Sequence, residues 1–285
     1  MALSFSEWLR NAPEPISVPP CGASLFPKAR DHAICINTMG ELSGINVLQR
    51  WVERAGRMEL LELPLTPELF LDPQLGDKIL QGSRHFQAVF SLYELISRHL
   101  SSEPDTYVFS DLKHLIGPGL GPAPDISVVR GLAPDRDFES YDLRSEIPPF
   151  FVTEVVSPSD ARIRRTDEVD KVKVYEKVGI QEYLLVYLSR ANGHRFQLKG
   201  YRLGPDRRYL PMQPDSQGRA VSETIGLAFG VSPDGGRIYV FNLETGERLL
   251  NAVEQQEAMK AAEERAARAE EELERLRAEI ERLKG

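Results

Sequence analysis

The sequence predicts an α/β (α+β) architecture: a mixed sheet flanked by helices, with an added antiparallel β layer and a C-terminal coiled-coil helix. Three observations carry this. Two β-branched runs, Ile126-Ser127-Val128-Val129 and Phe151-Val152-Thr153-Glu154-Val155-Val156, precede an amphipathic segment that stops at Gly179. Between Gly193 and Leu250, runs such as Arg237-Ile238-Tyr239-Val240-Phe241 alternate with Pro-Asp and Asp-Gly turns. From Ala252 onward there is no proline, the one glycine is the last residue, and apolar residues recur at spacings of three and four.

In chain order, residues 1–80 read as a proline-interrupted N-terminal extension packed on the core, with a short helix expected over Ile45 to Ala55 and a strand over Met58 to Leu63. Residues 81–192 read as the core. It opens with a helix running from Arg84 towards His99 and continues through the two β runs, joined by the polar stretch Gly131 to Pro149. A helix then spans about Asp167 to Val178, its valines and Tyr175 giving an apolar face and Gly179 the stop. Residues 193–250 form a β-rich extension of that core. Residues 251–285 carry a seam of Met259, Ala262, Ala266, Ala269, Leu273, Leu276, Ile280 and Leu283. A parallel pair would match Arg265 with Glu270, Glu272 with Arg277 and Glu279 with Lys284, and an antiparallel pair would match Glu263 with Lys284 and Glu270 with Arg277. Both orientations stay open, as does a single solvated helix.

The chemistry concentrates on two acids. Asp125 opens the first β run behind Pro124, where a turn residue is the ordinary reading. Glu154 is harder to assign to the surface, because it interrupts an apolar run and a buried carboxylate without a partner is costly. Hard cations such as Mg²⁺ take oxygen ligands and keep several waters, so one or two carboxylates on rigid strands suffice to hold one. Lys171, on the following helix, could stabilise developing negative charge beside them. It also lies four residues after Asp167, so a surface ion pair between those two is the alternative.

With these residues in place, the chain resembles the PD-(D/E)XK nuclease signature, and the surrounding words narrow the resemblance to the bacterial Uma2 family of restriction-endonuclease-like proteins. The motifs are Pro124-Asp125-Ile126-Ser127-Val128-Val129, Thr153-Glu154-Val155-Val156-Ser157-Pro158-Ser159, Asp167-x-x-x-Lys171-x-x-x-Tyr175-x-x-x-Gly179-Ile180, Gln181-Glu182-Tyr183-Leu184-Leu185-Val186 and Ser222-Glu223-Thr224-Ile225-Gly226-Leu227. They run in order from about Gly82 to Leu250. The resemblance implies a restriction-endonuclease-like sheet, with Asp125 and Glu154 as metal ligands for Mg²⁺ (or Mn²⁺) and Lys171 as the third catalytic residue. Two positions depart from the pattern. Val156 stands where the signature places its lysine, so Lys171 would be a migrated replacement, and Leu185 and Tyr187 stand where a tryptophan and an aspartate are common. His85 becomes a candidate substrate contact or a packing residue; Arg162, Arg164 and Arg165 are candidate phosphate contacts or solvated charges.

Composition bounds the rest. The formal charge is −8, from 43 acidic and 35 basic residues, and the segment 251–285 hides no basic domain, since 33 acidic and 28 basic residues remain without it. That balance argues against extensive nonspecific duplex binding, which draws on many neutralised phosphates. Cys21 and Cys35 are the two cysteines, too few for a structural zinc site. No signal-like start or membrane-length apolar run is present, so a cytoplasmic protein is expected. Two function classes remain: a metal-dependent endonuclease acting on nucleic acid, DNA first, or a noncatalytic nuclease-fold scaffold that self-associates through its coiled coil.

Overall fold

The computed structural model describes residues 47–79, 82–133, 135–156, 161–189 and 195–284; Cys21, Cys35 and the Ser157-Pro158-Ser159 end of one motif lie outside them. The described chain begins with β1 (Val47–Arg54) and β2 (Arg57–Pro64), an antiparallel hairpin in continuous register from Val47↔Pro64 to Arg54↔Arg57. Its loop sets Ala55 at φ 49° and Gly56 at φ 74°, the two left-handed residues of a type I′ turn. Of the segment expected as a helix over Ile45 to Ala55, the part from Val47 to Arg54 is therefore a strand and Ala55 belongs to the turn, while Ile45 and Asn46 lie outside the described residues. The fourfold spacings Val47/Trp51 and Leu48/Val52 mimic a helical face, but these β-formers pair across the hairpin, and Leu48 is buried with Leu65 and Ile163.

Helix α1 (Pro67–Leu71) starts at Thr66, whose hydroxyl accepts the Leu69 N–H at 3.3 Å, and β3 (Lys78–Ile79) pairs with β1. Next come α2 (Ser83–His99), β4 (Thr106–Ser110), β5 (His114–Leu115), β6 (Ile126–Arg130), β7 (Tyr141–Asp142) and β8 (Phe151–Val156), with β7 pairing parallel to β5. Helices α3 (Ala161–Arg165) and α4 (Lys171–Val178), joined by a turn of π-helix at Thr166–Asp170, carry the chain over to β9 (Glu182–Leu188). Such a crossover is what a parallel neighbour requires. With β10 (Phe196–Leu203) and β11 (Tyr209–Pro211) the result is a six-stranded mixed sheet of order β11-β10-β9-β8-β6-β4, in which β8 and β9 run parallel and the other pairs antiparallel.

Alternation along β8 assigns its two faces. Phe151 and Val155 join Leu92 and Ile96 of α2, and beyond them Leu227, Phe229 and Val240, in one apolar cluster. Those last residues belong to a second, antiparallel sheet of β12 (Ala220–Ser222), β13 (Leu227–Val231), β14 (Ile238–Asn242) and β15 (Arg248–Leu249). Val152 and Val156 face the other way, onto Val174, Tyr175 and Ile180. Burial of each large apolar side chain is worth roughly 1.5–3 kcal/mol, so α4 is held to this face by packing although its β-branched residues are poor helix formers. Gly179, at φ 88°, ends α4 and gives its N–H to the Tyr175 carbonyl at 3.1 Å.

The two sheets are stapled by Glu182. Its buried carboxylate accepts from Arg202 Nε (2.9 Å), Thr224 Oγ1 (2.6 Å), the Glu223 N–H (3.2 Å) and the Ser222 hydroxyl. Helix α5 (Ala252–Lys284) follows a reciprocal cap in which Glu254 N–H donates to Asn251 Oδ1 (2.9 Å) and Asn251 N–H donates to Glu254 Oε2 (3.1 Å). None of its described side chains is buried, so its apolar seam faces solvent. Among the described residues, no helix is long and apolar enough to cross a membrane.

Candidate active site

The β6–β8 register pairs Ile126 with Thr153, and one step further along the same register sets Asp125 opposite Glu154. There the side chains replace the ladder. Val155 N–H donates to Asp125 Oδ2 at 2.6 Å, and Asp125 N–H donates to Glu154 Oε2 at 3.3 Å, so each acid takes a backbone donor from the other's strand. Both share the sheet face that α4 covers. From α4, Lys171 Nζ and Tyr175 Oη, four residues apart, both donate to Glu154 Oε1 at 2.9 Å. Lys171 Nζ also lies 2.9 Å from Asp167 Oδ1 and 4.3 Å from the centroid of the Phe70 ring. The structure thus brings Asp125, Glu154 and Lys171 together, with exposures of 5%, 2% and 1%. The pairing with Asp167 exists as well, but inside the site and not on the surface.

A turn of π-helix precedes the lysine and helps set its direction. Val156, in the signature's lysine slot, is spent on packing against Val174 and Tyr175. The π-turn at Thr166–Asp170 buries Asp167 and sets Lys171 on the inner side of the helix that follows. Tyr183 fixes that turn by donating to the Asp167 carbonyl at 3.1 Å.

The electrostatics follow from burial. Removal from water, together with the charge of Glu154, holds the Asp125 carboxyl well above the ordinary carboxylate range against the opposing pull of Lys171. Burial pushes Asp167 up to about 7. Burial alone would lower Lys171, but the charges of Asp167, Glu154 and Asp125 outweigh it and hold the ammonium above the usual lysine value. Lys171 is therefore a permanent cation, suited to stabilising negative charge and unsuited to taking a proton. Three buried acids surround it, so the site is short of positive charge.

His85 Nε2 lies 3.3 Å from Asp125 Oδ1, while its Nδ1 is buried with no hydrogen-bond partner among the described residues. Desolvation, followed by the charge of Lys171, lowers this imidazole to about 4, so it is neutral. It sits on the buried face of α2, where it does not cap the helix; the N-cap is Gly82. Arg162, Arg164 and Arg165 are exposed on α3 and do not line the cavity; Arg164 lies 4.0 Å from Glu168.

A cavity of about 710 Å³ opens onto the acids and Lys171. Residues 73–79 form a strap along its lining and are pinned at both ends. Asp72 accepts from Lys113 Nζ (2.8 Å) and the Gly121 N–H (2.9 Å), and Asp77 takes a bidentate pair from Arg50 at 2.6 Å for each bond. A Cβ on Gly121 would stand 1.8 Å from the His114 carbonyl oxygen, so only glycine lets the backbone approach Asp72. Sequence reasoning missed this strap, and it missed Asp111. That residue lies at the cavity rim with φ 52°, and enclosure and Glu154 raise its carboxyl. A lone Asp after a strand reads as a turn, and its left-handed backbone leaves no mark in the sequence.

The donor set can be tested for a divalent cation. Each carboxylate has one firmly bonded oxygen, Asp125 Oδ2 and Glu154 Oε1, and one with contacts no shorter than 3.3 Å. Hard oxygen donors with a deficit of positive charge fit Mg²⁺ or Mn²⁺. Among the described residues, no three His, Cys, Asp or Glu side chains form a preassembled metal cluster, so such an ion would keep water in its remaining positions.

Comparison with known proteins places this geometry in context. The family model Uma2, described as "Putative restriction endonuclease", matches residues 59–269. No curated protein matches the chain. A solved structure titled as a "putative nuclease belonging to DUF820" from Anabaena variabilis ATCC 29413 is 18% identical, over 52% of this chain and 79% of that one, with a TM-score of 0.37.

Proposed function

Since the chain belongs to the Uma2 family, described as "Putative restriction endonuclease", we propose that it is a metal-dependent endonuclease that hydrolyses phosphodiester bonds in nucleic acid, DNA being the first candidate. The observation that carries this reading is the convergence of Asp125, Glu154 and a charged Lys171 at one cavity. Asp125 and Glu154 would hold Mg²⁺ or Mn²⁺. When bound, that ion supplies charge neutralisation at a phosphoryl oxygen and a lowered pKa for water.

The chain's own groups supply the rest. Lys171, locked against Glu154, places a fixed positive charge where negative charge develops. Tyr175 and the Val155 N–H hold the acids in place before substrate arrives, so little reorganisation is needed at the moment of reaction. In the reaction a water oxygen forms a bond to phosphorus and gives up a proton to solvent, one P–O ester bond breaks, and the departing alkoxide takes up a proton from solvent, so that one water is consumed overall. A phosphomonoester and an alcohol result. The burial of Asp125, Glu154 and Lys171 strengthens every one of these electrostatic contacts.

The test is cleavage of mixed nucleic acids with Mg²⁺ or Mn²⁺, comparing wild type with Asp125→Asn. The substitution removes the anionic ligand at constant volume, and activity should fall by at least a hundredfold while the unfolding transition persists. Equal cleavage by the variant, or by wild type in chelator, overturns the reading. Cytoplasmic location and self-association through α5 belong to the same proposal; the second rests on the exposed seam Leu273, Leu276, Ile280 and Leu283.

A further inference from the structure

Phe86 and Phe90 lie four residues apart on the outer face of α2, 64% and 58% exposed, with ring centroids 6.1 Å apart and planes inclined by 20°. The opposite face of the helix is well buried through Ala88, Val89 and Leu92, so the two rings are not there to complete the core. Phe86 also lines the cavity that holds Asp125, Glu154 and Lys171, and the exposed Leu75 lines it from the strap. Phe86 thus links the lining of the cavity to an exposed aromatic pair.

The occupant is constrained by access. Asp125, Glu154 and Lys171 are nearly excluded from solvent, in a cavity also lined by a segment pinned by Asp72 and Asp77. A duplex is stiff over about 150 base pairs and presents its phosphates on the outside of a wide cylinder, whereas an unpaired strand can thread into a deep cavity and turn its bases outward. The acidic balance of the chain, −8 overall, also disfavours a long duplex contact, while aromatic faces bind unpaired bases without needing many phosphate contacts.

We infer that Phe86 and Phe90 form a stacking platform for unpaired nucleotides, and that the cavity takes a single-stranded segment of nucleic acid. This rests on the hydrolase reading for what happens to the strand, but the platform can be measured without cleavage. The probe is a fluorescein-labelled single strand of about 12 nucleotides and its matching duplex, titrated against full-length Asp125→Asn at about 0.1 M salt.

The single strand should bind about tenfold or more tightly than the duplex. Phe86→Ala or Phe90→Ala, added to that background, should weaken single-strand binding about tenfold, leave the duplex unchanged, and be reversed at position 86 by Phe86→Trp. Both rings are exposed, so unfolding midpoints should not move. Undiminished single-strand binding by the double alanine variant overturns the inference, as does tighter duplex binding or a change in sedimentation that marks the patch as a contact between copies. Ring-dependent binding without metal-dependent cleavage by wild type would sustain the platform and defeat the hydrolase. Cleavage indifferent to both rings would do the reverse.

Discussion

At the scale of single residues, buried polar groups set the terms. His114 illustrates this outside the cluster of Asp125, Glu154 and Lys171: its Nδ1–H donates to the Leu112 carbonyl at 2.7 Å, and Nε2 faces Ser127 Oγ at 3.1 Å. Burial, opposed by the bond to Leu112, lowers it to about 4 from 6.5. Between those values the unfolded chain binds the proton and the folded chain does not, so this residue's contribution to stability is complete above about 6.5 and is lost as pH falls towards 4. Asp125 and Asp167, with raised values, act in the opposite sense, so the wild-type curve alone would not isolate the effect. The difference curve does. His114→Asn keeps a donor for Leu112 and cannot titrate. Its urea unfolding free energy should gain on wild type by on the order of 1 kcal/mol per pH unit as pH falls through that window. A difference that does not vary with pH would show that His114 is protonated in the folded state.

At the scale of elements, the turn of π-helix does more than join two helices. Successive residues on an α-helix are about 100° apart, so deleting one residue from Thr166–Asp170 would swing Lys171 from the acids towards solvent. Deletion of Glu168 should abolish cleavage and lower stability by about 3–5 kcal/mol, the cost of stranding a buried charge partner. Lys171→Met, which leaves the helix register alone, should reproduce both effects; retention of activity in either would remove the lysine from the chemistry. Much of this element was readable from sequence. The strands at Ile126 and Phe151, the helix ending at Gly179 and the strand at Glu182 follow from β-branched runs, an apolar face and a glycine stop. The π-turn was not, because its extra residue changes no residue type. The hairpin at Ala55-Gly56 was missed because alanine rarely adopts positive φ, and pairing across the strands overrode a helix-like spacing. The stapling role of Glu182 was not legible, because its partners Ser222, Glu223 and Thr224 come from a segment some forty residues downstream.

At the scale of the whole molecule, one compact α/β body carries a helix that touches it at its first turn. There Ala252 N–H donates to Glu94 Oε1 at 3.0 Å, Arg248 pairs with Glu254 at 2.8 Å, and Arg98 donates to the Leu250 carbonyl. The seam beyond has no partner among the described residues, and pairing with a second copy would bury it at roughly 25 cal/mol per Å² of apolar area. Full-length protein should therefore sediment as a dimer or larger. A truncation after Gln256, which spares the Asn251–Glu254 cap, should sediment as a smaller species with its unfolding midpoint unchanged. A monomeric full-length chain at high concentration would exclude self-pairing. Thirty-three helical residues rising about 1.5 Å each make α5 a rod of about 50 Å. In a pair, that rod acts as a ruler. Parallel strands of the coil would hold two cavities side by side, and antiparallel strands would hold them about a rod's length apart, so the direction of pairing would set the distance between the two cavities while leaving the lining of each the same.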